Sequence, residues 1–287
     1  MKMTRREFIG YTAPSIVIMV VLMFGPLILT VYMSLLHFTY GSASKFVGLG
    51  NYIDVLKGTR FWAATAFTLE VTVITTVIKL VIGFTVALLL YNVKRFRGVF
   101  IAGSLLPFIV PPVVGTLVFG WLFRQDWGYY AFLLSKIGIN ISWYSGDLAA
   151  KSLIMLHWTW QGVSFVFLVL YAGLQAMPKD YLEAAVVDGA NYLQRLFYVV
   201  IPYLKPLILF IVMMNIMDAY RIFDSIAVMT KGGPGTATES LMYYNYDIAF
   251  NRLSMGEGSA ISVLTMLGIF ILMIPFLYWT YKEQTDK

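Results

Sequence analysis

Few side chains in this sequence are spaced to do covalent chemistry. The two histidines, His37 and His157, lie far apart, there is no cysteine, and no G-x-x-x-x-G-K-[ST] phosphate cradle occurs. Residue type and spacing therefore give no support to a histidine metal cluster, a thiolate site or nucleotide hydrolysis. The acids are scattered and form no cluster for general acid–base work. What recurs is polar groups set in apolar runs, where they are expensive and face a pathway or another polar group. Asn215, Asp218, Tyr220 and Arg221 lie at the end of one run; Asn215–Asp218 and Asp218–Arg221 are each three residues apart, hence neighbours on a helix face. That spacing fits a solute path and equally an internal ion pair. Trp158, Trp160, Gln161, Ser164 and Tyr171 stud a second run. Aromatic planes beside amides and hydroxyls suit a polyhydroxylated ring, and tryptophans near the end of a run also suit membrane-interface anchoring. Glu70 and Lys79, nine residues apart in a third run, cannot reach each other, so Lys79 is expected to meet an acid on another chain or to snorkel.

The elements that must position these groups follow from composition. Hydrophobic residues make up 59% of the 287, charged residues 13%, and mean hydropathy is +0.75. This is the balance of an all-α integral membrane protein, and residues 1–287 are read as a single transmembrane domain. Apolar runs near residues 11–33, 61–91, 99–123, 152–174, 204–223 and 259–281 predict about six transmembrane helices, each long enough for a hydrocarbon core of about 30 Å. Lys2, Arg5 and Arg6 precede the first run in the order of a signal peptide, but the run is too long and lacks a clear small-x-small site, so it reads as an uncleaved span. Lys94, Arg95 and Arg97 crowd a short connection and mark the cytoplasmic side, which places both termini inside. The net charge of +6 then serves orientation, and no nucleic-acid partner is inferred from it.

One long connection, residues 180–206, carries start and stop signals of its own. Asp180 with Glu183, and Asn191 with Gln194, each have the spacing of a capping box, which predicts two short helices. Gly189 lies between them, where a left-handed residue ends the first helix; Pro202 and Pro206 then open the next span. Glu183 is either a capping residue or a contact, and the two roles are compatible. Asp188, a carboxylate near a helix C-terminus, opposes the macrodipole, so it is expected to be tied to the next helix's N-terminus, to Arg195 or to a partner cation. Leu182, Val186, Leu193, Leu196 and Phe197 can pack on the chain's own spans or on a partner.

Glu183-Ala184-Ala185, three residues, Gly189, nine residues and Val199-Val200-Ile201-Pro202 resemble the EAA loop of bacterial ABC importer permeases, whose pattern ends in Ile-x-Leu-Pro. Val199 and Ile201 depart from it conservatively. Phe46-Val47-Gly48-Leu49-Gly50-Asn51-Tyr52 is similar to the F-x-G-L-x-N-Y stretch of sugar-importer permeases related to the maltose transporter. Asp188-Gly189-Ala190, Phe223-Asp224 and Thr230-Lys231-Gly232-Gly233-Pro234 match further motifs, and Thr238, Leu241, Tyr244, Tyr246, Ala249 and Phe250 continue the pattern toward Ser259-Ala260.

The resemblance implies a type I ABC importer permease fold with a coupling loop at about 178–202 and an outer loop at about 224–258. It implies that Glu183, Ala184, Ala185, Asp188, Gly189 and Ala190 meet a separate cytoplasmic ATPase, and that Gly232, Gly233 and Pro234 lie near the outer gate and a solute-binding protein. Asn215, Asp218, Tyr220, Arg221, Trp160, Gln161 and Ser164 become candidates for the path of a sugar or sugar-like solute. The expected partners are a second, similar permease, two ATPase subunits, an extracytoplasmic binding protein and membrane lipid. ATP and magnesium are expected on the ATPases, with no cofactor on this chain, which is read as no enzyme, resident in a bacterial or archaeal inner membrane. A secondary transporter or channel is the alternative, and it leaves the EAA element without a purpose.

Overall fold

The computed structural model of the chain describes residues 5–285. Among these the helices are α1 (Arg5–Ser34), α2 (Gly50–Lys57), α3 (Thr59–Asn92), α4 (Arg97–Ile109), α5 (Pro112–Leu122), α6 (Tyr129–Lys136), α7 (Asp147–Ala176), α8 (Lys179–Val187), α9 (Tyr192–Arg195), α10 (Ile201–Tyr220), α11 (Leu241–Tyr246) and α12 (Met255–Thr285). A short antiparallel pair, β1 (Leu36–His37) with β2 (Lys45–Phe46), follows α1. Five helical runs are long and apolar enough to cross a membrane, and the bent pair α4–α5, which passes the same test together, makes six if it is one span. The count agrees with the expectation of about six, and two of the six segments are built differently from it.

The third is not straight. α4 and α5 meet at 97°, and the break falls where Pro111 and Pro112 adjoin. Proline lacks the donor a helix needs and drives the residue before it out of the α region. Val110 (ψ 127°) and Pro111 (ψ 134°) are accordingly extended. The fifth crossing is longer than expected. Pro202 does not open a new helix: α9 passes through a π turn, Leu196–Val200, into α10, giving one run over Tyr192–Tyr220. In that turn the Ile201 N–H reaches back to the Leu196 carbonyl, a wider register that accommodates a proline one residue later.

The chain divides into two compact units. The larger runs over Trp62–Tyr243 with the chain from Ile269 onward. Its apolar core gathers Ala87 and Leu90 of α3, Val166, Phe167, Leu170 and Leu174 of α7, and Leu204 and Ile211 of α10. Small residues let these helices approach: a Cβ on Gly83 would lie 2.7 Å from Val166 Cγ1, and one on Gly173 would lie 2.7 Å from Leu204 Cδ2. Without a hydrophobic drive between helices in lipid, such close backbone packing is a main source of cohesion. The second unit joins the chain up to Phe61 with Tyr244–Gly268. Here the Asn51 amide donates to the carbonyls of Ser34 (2.7 Å) and Leu36 (2.8 Å), and Tyr52 shares a 2.6 Å hydrogen bond with Ser34. Gly48 takes φ +57°. Asn51 and Tyr52 of the FVGLGNY stretch therefore seal the end of α1, where backbone carbonyls would otherwise be unsatisfied.

Candidate functional site

The loop between α7 and α10 is finished at both of its interior ends. α8 closes in a Schellman arrangement: Gly189 at φ +77° donates to Val186 (3.0 Å) and Ala190 donates to Ala185 (2.9 Å). Two residues later the box at Asn191 is complete, with the Gln194 N–H on Asn191 Oδ1 (2.9 Å) and the Asn191 N–H on Gln194 Oε1 (2.8 Å). The box expected at Asp180 and Glu183 does not form. α8 starts directly after Pro178, which carries no side-chain cap, because the extended Met177–Pro178 pair ends α7 and leaves Lys179 free to begin the helix. Asp180 then lies in the first turn, where its charge still suits the dipole.

Glu183 is consequently released from capping and is exposed. Asp188 is also exposed, and among the described residues no hydrogen bond or ion pair holds either side chain. The ties expected for Asp188 within the chain, to the next helix or to Arg195, are thus not made. Ala184, Ala185 and Asp188 line an open hollow of about 460 Å³ with Tyr181, Tyr198 and Tyr203. The five apolar residues of the element sort cleanly: Leu182 and Leu196 pack on the core, while Val186 (53%), Leu193 (60%) and Phe197 (58%) are exposed.

A second site lies between the crossings of the larger unit. Asn215, Asp218, Arg221 and Gln161 line one pocket of about 430 Å³, and its wall includes Phe108, Val110 and Pro112 at the α4–α5 elbow. Lys79, expected to snorkel or to meet another chain, faces this pocket too. Its side chain does not snorkel: it is 2% exposed, and its ammonium donates to Asn215 Oδ1 at 3.3 Å. The Asn215 Nδ2 donates to the Ile211 carbonyl at 2.9 Å, which turns Oδ1 toward the lysine. Trp158 presents its ring 4.9 Å from the ammonium, and Asp218 supplies the carboxylate that acts on its charge. Among the described residues no ion pair joins Asp218 to Arg221, so the internal pair that their spacing allowed is absent.

Three other candidates lie outside this pocket. Ser164 is buried and donates to the Ser104 carbonyl (2.7 Å), tying α7 to α4. The Trp160 ring lies tilted against those of Phe119 (centroids 5.9 Å apart) and His157 (6.0 Å), and Tyr220 is 4% exposed. His157 is a core clasp, its Nδ1 2.9 Å from Ser225 Oγ. Among the described residues no group of three metal-ligating side chains occurs.

The Gly232-Gly233-Pro234 turn is stitched by Thr238, whose N–H meets the Gly232 carbonyl (3.1 Å) and whose hydroxyl meets Gly233 (2.7 Å). Gly232 takes φ +83°, with the Tyr243 ring 3.0 Å from where a Cβ would stand. In the smaller unit Asp247 accepts from Arg60 (2.6 Å), Asn251 (3.0 Å) and Arg252 (3.3 Å). Burial pushes its carboxyl upward, but the hydrogen bonds from Asn251 and Arg60 and the two guanidinium charges outweigh it and hold the carboxyl below its ordinary value.

Membrane-length apolar helices thus flank a pocket lined by charged and amide side chains, and a two-helix element occupies one loop with its carboxylates exposed, an arrangement that suits a membrane transport subunit. Over residues 79–282 the chain matches the family described as the binding-protein-dependent transport system inner membrane component, and it belongs to that family. Members are permease subunits of ABC transporters, with the ATPase on a separate subunit, so the chain is a transport component and not an enzyme. It is 34% identical to the trehalose/maltose transport system permease protein MalF of Thermococcus litoralis, over 95% of this chain and 92% of that one. It is also 34% identical to the sn-glycerol-3-phosphate permease protein UgpA of Brucella abortus (93% and 91% covered), and 30% identical to the trehalose permease protein SugA of Mycobacterium tuberculosis (95% and 88%). Among solved structures it shares its fold with a bacterial ABC transporter that imports alginate, at a TM-score of 0.80 and 17% identity, covering 97% of this chain and 96% of that one.

Proposed function

We propose that the chain is an inner-membrane permease for a sugar or sugar-like solute, both termini cytoplasmic, paired with a second permease to enclose the path. Residues 1–287 act as one transmembrane domain. Two cytoplasmic ATPase subunits, which hold ATP and magnesium, seat on the loop through Glu183, Ala184, Ala185, Asp188, Gly189 and Ala190. An extracytoplasmic binding protein delivers solute near Gly232, Gly233 and Pro234. The solute passes the pocket lined by Asn215, Asp218, Arg221 and Gln161.

The observation that carries this reading is the loop itself. Two alanines beside a hollow let another backbone come close, two unengaged carboxylates offer acceptors, and exposed Val186, Leu193 and Phe197 offer apolar area. The continuity of α9 with α10 means that a push on the loop reaches the pocket wall along one rod. ATP binding and hydrolysis then bias alternating access through differential affinity for nucleotide, solute and binding protein. Co-expression with the ATPase of the same transport system and pull-down from solubilised membranes tests the seat. Glu183→Lys and Gly189→Pro are expected to release the ATPase; retention in both variants, with transport intact, overturns the coupling role.

A further inference from the structure

The structure shows a built polar site around Lys79 that goes beyond the sequence candidates. Burying an ammonium is expensive unless neighbouring groups compensate it, and Lys79 has a hydrogen-bond acceptor, an aromatic face and a carboxylate on the same pocket wall. Asn215 is pre-turned by Ile211 to accept from it, Trp158 lies under it, and Asp218 balances its charge. Gly162 leaves the room: a Cβ there would stand 2.6 Å from both Lys79 Nζ and Cε. An ammonium has three donors, and Asn215 takes one. Close by in the sequence and fold, the Thr75 and Thr76 hydroxyls and the Trp158 indole N–H are buried without hydrogen-bond partners.

The formal charges on the pocket wall cancel, with Lys79 and Arg221 set against Asp218 and Asp224. An anionic solute entering such a wall would meet two carboxylates as well as two cations, so it would gain no net attraction from the formal charges and would add a charge the wall does not balance. A hydroxyl behaves differently, since it accepts from an ammonium and donates to a carboxylate at once. Neighbouring hydroxyls on a sugar can therefore bridge Lys79 and Asp218 while the apolar face of the ring lies on the aromatic wall of Trp158, Phe165 and Phe108.

We propose that Lys79 and Asp218 are the specificity-determining pair of this pocket, selecting an uncharged polyhydroxylated solute and rejecting phosphorylated or carboxylated ones. This deepens the reading that the pocket lies on the transport path and rests on it.

The chain has no cysteine, so Met214→Cys places one thiol on the pocket wall. In the assembled complex in lipid nanodiscs, the rate of maleimide labelling of that thiol reports occupancy. Maltose or trehalose at about twice the dissociation constant slows labelling about threefold, whereas sn-glycerol 3-phosphate and glucuronate at equal concentration leave it nearly unchanged. Adding Asp218→Asn leaves two cations against Asp224 and reverses the order. Gly162→Ala, which displaces the ammonium without changing charge, abolishes protection by the neutral sugars. Stronger protection by the anions in the Met214→Cys background, an unreversed order with Asp218→Asn, or protection by no solute overturns the proposal. ATPase retention, measured on the same samples, scores the coupling reading and the integrity of the variants separately.

Discussion

At the scale of single residues, Gly189 and Asn191 show how little chemistry separates a stop from a start. Gly189 ends α8 because φ +77° strains any residue with a Cβ, and Asn191 begins α9 because its side chain satisfies an orphan N–H. Asn191→Ala is expected to destabilise the loop by about 0.5–2 kcal/mol, read as faster amide exchange over residues 191–196 with the spans unchanged. Gly189→Ala is expected to add about 1–2 kcal/mol of strain there, and to weaken ATPase retention less than Gly189→Pro does. Glu183 was legible as a polar residue with two possible roles; the structure removes the cap because Pro178, not Asp180, precedes the helix. Asp247 gives a pH signature. Its carboxyl is held below the ordinary value, so its stabilisation is present above that ordinary value, about 4, and is lost as pH falls through the lower native one. The thermal midpoint should therefore fall on acidification below about pH 4, and Asp247→Asn should flatten that part of the profile. An identical acid limb in the variant contradicts the assignment.

At the scale of elements, two departures from regular helix do the positioning, and both are made by proline. The 97° elbow after Val110 turns Phe108, Val110 and Pro112 into pocket wall. Replacing Pro111 and Pro112 by alanine removes the restriction and lets α4 run on into α5. Solute uptake is expected to fall at least tenfold while the ATPase stays bound, a split that uptake and pull-down on the same membranes would reveal. The six apolar runs were legible because hydrocarbon thickness and backbone satisfaction leave a chain few choices. The elbow was less so: apolar residues lie on both sides of Pro111–Pro112, so hydropathy alone reads one span. The π turn was hidden for the converse reason, since Pro202 reads as a helix opener when its missing donor is in fact absorbed by a wider register. Lys79 carried a visible signal, a charge deep in an apolar run, but its partner Asn215 is 136 residues away and only the packing of α3 on α10 brings them together. Sequence spacing along one helix could not find that pair.

At the scale of the whole molecule, the proposed coupling asks the chain to act as a transmitter. It holds no phosphate cradle, its loop is exposed and rigidly finished, and the loop's second helix is continuous with a crossing that lines the pocket. In the proposed coupling, force applied at Glu183, Ala184 and Ala185 of α8 crosses the Gly189 turn and then follows the continuous Tyr192–Tyr220 run to Asn215 and Asp218. Coupling of this kind is reciprocal in binding terms, so solute and binding protein should raise nucleotide affinity on the ATPase as nucleotide alters theirs. Solute uptake into vesicles reconstituted with the ATPase and either the native chain or Gly189→Pro, followed together with ATP hydrolysis, reads this coupling. The native complex is expected to show ATP-dependent uptake stimulated by the binding protein, and Gly189→Pro to lose that uptake with hydrolysis no longer responding to binding protein. Uptake that proceeds without ATP, or that is undiminished in Gly189→Pro, would contradict a transmitting role for the loop.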